Sequence, residues 1–177
     1  MSLLKPKGKD VSPLEGAFGI GLEDNVRAGY GFLAHNYDRR AQDEIYLFGW
    51  SRGAYTARSI AGLVSKFGLL DKAGMDNISK VYHAYISGWY AQDAKPKDKA
   101  LGEKLKAELK PVTPPIQCVG VWDTVGSLGI PNLEVFGTKI PFVSELNKKY
   151  QFHDTRLHTN IKFAFHAYNS PLIRLLI

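Results

Sequence analysis

Residues 44–64 place a serine where the local pattern can turn it into a nucleophile. An apolar run from Ile45 to Phe48 leads into Gly49-Trp50-Ser51-Arg52-Gly53, and a helical pattern follows at once. A G-x-S-x-G sequence between a strand and a helix is a nucleophile elbow: the turn is tight enough to strain the serine backbone and raise its hydroxyl clear of the sheet. On this reading the glycines two residues to either side let the neighbouring chain approach without a Cβ clash. The free N–H groups at the start of the helix face the negative charge that an attacked carbonyl would develop. The spacing therefore points to acyl transfer through Ser51, with the Arg52 backbone N–H as one oxyanion donor.

A serine nucleophile of this kind needs an acid and a histidine, in the chain order Ser, acid, His. Asp123 is the best acid. It follows the buried-strand run Ile116–Trp122 directly, where an open α/β sheet presents its catalytic groups, whereas Asp93, Asp98 and Asp154 lie in polar stretches. The alternative for Asp123 is a cap or an Asx-turn residue beside Thr124. Three histidines follow. His153 and His158 sit in polar loop-like sequence, and His166 ends a third strand-like run, Ile161–Phe165, which gives it the best geometry for the general base. A second oxyanion donor is expected from a loop after an earlier strand, and no convincing strand precedes residue 23. No zinc spacing joins any two of these histidines, so neither metal nor cofactor is expected.

The elements that must position these residues alternate in type. A helix is predicted over 23–37, with Val26, Tyr30, Leu33 and Tyr37 as one stripe and His35 off it. A strand at 44–48 and a helix at 53–66 carry the elbow, with Ile60, Ala61 and Val64 inward, Tyr55, Ser59 and Gly62 in close packing, and Gly68 as the terminal cap. A second amphipathic helix is predicted over 75–90, with Ile78, Tyr82, Tyr85 and Trp89 as an aromatic core stripe and His83 beside it. Residues 93–115 read as a lysine- and proline-rich insertion, a solvated linker with a short helix. Residues 127–150 read as irregular, with a short helix near 142–150. Strands separated by crossover-length helical segments make this an α/β chain with a mainly parallel sheet flanked by helices. Gly16-Ala17-Phe18-Gly19-Ile20-Gly21 lacks both a preceding strand and the dinucleotide spacing, which makes it a loop rather than a phosphate cradle.

The bulk properties limit the rest. A chain of 177 residues has room for one domain with a core and too little for two. No apolar run reaches membrane-span length. The basic start is followed by no apolar stretch, so no signal peptide is read there. With one cysteine, Cys118, an intramolecular disulfide is impossible, and a reducing, cytoplasmic setting is expected. Cys118 lies in an apolar run and reads as a small buried hydrophobe. The net charge of +6 draws on Lys95, Lys97, Lys99, Lys104, Lys106 and Lys110, diluted by Asp98, Glu103 and Glu108. This supports a solvated surface or a peripheral contact with anionic membrane; no nucleic-acid signature accompanies it.

Taken in order, three stretches resemble a known family: Gly16–Leu22, Phe48–Arg58 and Gly120-Val121-Trp122-Asp123-Thr124-Val125-Gly126. They are similar to the uncharacterised α/β-hydrolase domain shared with the first class of type VI secretion phospholipase effectors. Phe152–Thr155 and Asn160–Ala167 look like a fungal-type member. The resemblance implies an α/β-hydrolase fold and a Ser-Asp-His mechanism on carboxylic esters, without a cofactor, with Ser51 as nucleophile and Asp123 as acid. Members of the family open with a strand ending in Asp-Gly-Thr, which has no counterpart here. Tyr168-Asn169-Ser170-Pro171 stands where the family has a Leu-Ala-Leu-Asp-Glu-like run, and the segment taken to hold the family's catalytic histidine would lie beyond Ile177. The resemblance thus divides the chain into a loose segment at 1–15, a partial α/β-hydrolase domain at 16–167 and an atypical apolar tail at 168–177. It implies a serine ester hydrolase with a lipid or other ester substrate, or else an inactive, truncated relative with exposed apolar surface.

Overall fold

The computed structural model describes residues 21–122, 134–135, 138–139 and 157–167. Along these the chain forms α1 (Leu22–Asn36), β1 (Ile45–Trp50), α2 (Arg52–Lys66), a 3-10 turn (Ala73–Asn77), α3 (Ile78–Ile86), α4 (Pro96–Leu109), β2 (Ile116–Trp122), β3 (Glu134–Val135), β4 (Thr138–Lys139) and β5 (Ile161–Ala167). Strands β1, β2 and β5 form one sheet in that order, with both pairings parallel. Strands β3 and β4 pair antiparallel in the stretch expected to be irregular. The α/β class and the parallel sheet with flanking helices are as the alternating pattern predicts. Asp123, His153, the helix expected near 142–150, residues 1–15, Gly16–Ile20 and residues 168–177 lie outside the described residues.

Apolar periodicity explains most of the core. On α1, Val26 and Tyr30 are fully buried, and Ala34 takes the third place on the buried face while Leu33 and Tyr37 pack at its margin. Helix α2 buries Ile60, Ala61, Leu63 and Val64 together with Tyr55, Ser59 and Gly62. It ends at Phe67, and Gly68 follows at φ +105°, a left-handed turn that favours glycine. The Tyr30 hydroxyl crosses this junction, donating to the Gly68 carbonyl at 2.8 Å and accepting from the Leu70 N–H at 2.9 Å.

Two stretches differ from expectation. The helix predicted over 75–90 is a 3-10 turn running into α3, and the chain breaks from helix at Gly88, φ +69°. Its aromatic stripe is core nonetheless: Tyr82, Tyr85 and Trp89 are buried, while His83 is exposed. The lysine-rich insertion contains the 14-residue helix α4, with Pro96 in its first turn, a position that needs no N–H. Leu105 buries its side chain, and Gly102 lies so close to the Trp89 indole that a Cβ would fall within 2.5 Å of it. Lys106 is structural as well as charged. Its ammonium donates to the Lys66 carbonyl at 3.0 Å, occupying one of the carbonyls that end α2, and lies 5.7 Å from the Trp89 ring centre.

Candidate active site

The elbow is set by backbone geometry. Ser51 separates β1 from α2 at φ 52°, ψ −119°, a conformation that side-chain-bearing residues adopt at a cost of about 1–3 kcal/mol. Its N–H donates to the Trp122 carbonyl at 2.9 Å, which fastens the turn to the last residue of β2. The Ala54 and Tyr55 N–H groups bond back to the Ser51 carbonyl at 3.1 and 3.3 Å and start α2. Arg52 is therefore the first residue of the helix, where an N–H has no carbonyl one turn earlier to bond within the helix.

The two flanking glycines have different jobs. A Cβ on Gly49 would lie 2.6 Å from the Ala54 Cα and closer still to the Gly53 carbonyl. The return of the chain into α2 occupies that space, so residue 49 must be glycine. A Cβ on Gly53 would meet nothing within 4 Å. The expectation that both glycines permit a close approach thus holds at Gly49, and Gly53 contributes its carbonyl to the contact.

Register brings three strand ends together. Trp50 is paired with Trp122, and Trp122 with Ala167, so the ends of β1, β2 and β5 fall in order along one edge of the sheet, with Ser51 following the first of them. His166 pairs with Val121 and lines a cleft of about 230 Å³ with Arg58 and Ala61 of α2 and with Val119 and Ala164 of the sheet. Burial lowers the Arg58 guanidinium from its ordinary value, and burial raises the neighbouring Tyr55 phenol to about 12. Two strand spacings, ~9.6 Å, separate the backbones of β1 and β5. Among the described residues Ser51 makes no side-chain hydrogen bond to a histidine. His158 lies in the turn before β5, where its carbonyl accepts from the Ile161 N–H at 3.0 Å, and Asn160 ties that turn to Pro114 and Ile116. His35 is exposed on α1 and Cys118 is buried in β2.

The opposite face of the sheet was not singled out by the sequence pattern. Tyr46, Phe48 and Trp50 of β1, Trp122 of β2 and Phe163 and Phe165 of β5 remain 46–68% exposed. Trp50 and Trp122 carry this aromatic face up to Ser51. Alternation along β1 was the available signal: every second residue from Tyr46 to Trp50 is aromatic.

The family described as "T6SS, Phospholipase effector Tle1-like, catalytic domain" matches residues 7–169. The uncharacterized protein YEL023C of Saccharomyces cerevisiae is 31% identical over 122 residues, covering 66% of this chain and 17% of that protein. The chain thus spans less than a fifth of that relative's length. No solved structure matches. The family match covers both the elbow and β5, and on that basis the chain belongs to the family of Tle1-like phospholipase effector catalytic domains.

Proposed function

We propose that the chain is a serine ester hydrolase of α/β-hydrolase type, with Ser51 as nucleophile, Asp123 as the acid of its triad and the Arg52 N–H as an oxyanion donor. The observation that carries this reading is the strained Ser51 backbone at a strand-to-helix turn, hydrogen-bonded to the residue before Asp123. In the reaction, Ser51 Oγ attacks the ester carbonyl as a histidine takes its proton. The alcohol leaves with a proton, and water then releases the acid and restores the serine. Membership of a phospholipase-effector family supports lipid esters as substrates. The aromatic side chains of Trp50 and Trp122 beside the serine suit an acyl chain.

A fluorophosphonate probe tests the reading directly. Labelling that disappears in Ser51→Ala supports it, and an unlabelled folded protein overturns it. A second reading, an inactive relative acting as an interaction module, is favoured by one observation: the apolar residues Tyr46, Phe48, Trp50, Phe163 and Phe165 are exposed on the sheet. His166→Ala separates the two cases for the base. Labelling that survives this change removes His166 as the base.

Peripheral contact with anionic membrane, if the enzyme uses it, belongs on α4. Lys97, Lys99 and Lys104 are exposed there, although Lys104 already pairs with Glu108 at 3.8 Å. A cytoplasmic setting is part of the same proposal, resting on a single, buried cysteine.

A further inference from the structure

We draw no further inference here: the strongest candidate, the cleft between α2 and β5 lined by Arg58 and His166, belongs to the site already described, and nothing among the described residues shows what covers its open side.

Discussion

At the scale of single residues, Ser51 holds its conformation against its own preference. Glycine at that position would relieve the strain, with part of the gain offset by the extra freedom of the unfolded chain. Ser51→Gly is therefore expected to abolish probe labelling and raise stability by about 1 kcal/mol, as read by urea unfolding. A variant that loses labelling and stability together would contradict the strain argument. The flanking glycines predict opposite outcomes. Gly49→Ala forces backbone against backbone and should cost at least ~3 kcal/mol, enough to lower the melting temperature sharply. Gly53→Ala sits in open space inside a helix and should be neutral or stabilise by ~0.5–1 kcal/mol. The spacing of residues 49–53 made the elbow legible in the sequence. Which glycine is sterically required was not legible, because that depends on where the Gly53 carbonyl returns.

At the scale of elements, hydroxyls in the helical layer tie the core to pH. Burial raises the Tyr30 phenol well above its ordinary value, and burial raises Tyr55 to about 12. Because ionisation is disfavoured in the folded state, this stability is fully present below the ordinary tyrosine value of about 10. It is lost as pH rises through the folded values. The urea midpoint should therefore hold steady up to pH ~10 and fall above it. Tyr30→Phe should make that alkaline fall shallower. It should also lower stability near neutral pH by ~1–3 kcal/mol, since the Gly68 carbonyl and the Leu70 N–H lose their partner. Stripes with strong periodicity, such as Val26-Tyr30 and Tyr82-Tyr85-Trp89, were legible as buried faces. A short helix was legible in the lysine-rich insertion, but the packing of α4 was not, because its lysines and Pro96 resemble a solvated linker, and only Leu105, Gly102 and the capping Lys106 reveal that it packs.

At the scale of the molecule, the net charge of +6 and the exposed lysines of α4 predict that binding to anionic vesicles weakens as salt rises. Lys97→Glu with Lys99→Glu should weaken it further, by about 1 kcal/mol per lysine in vesicle co-sedimentation. Unchanged binding would remove α4 from the contact. The three parallel strands were legible as separate apolar runs, but their shared aromatic face emerges only when register aligns Phe48, Gly120 and Phe165. The bond from the Ser51 N–H to the Trp122 carbonyl carries a further consequence, for the order of folding. It joins residues far apart in sequence, so its loop must close before the contact is gained, and contacts of this kind slow a folding chain. A nascent or partly unfolded chain therefore carries an ordinary serine, and the strained one arrives only with the docking of β2. Hydrogen exchange at the Ser51 amide would time that arrival.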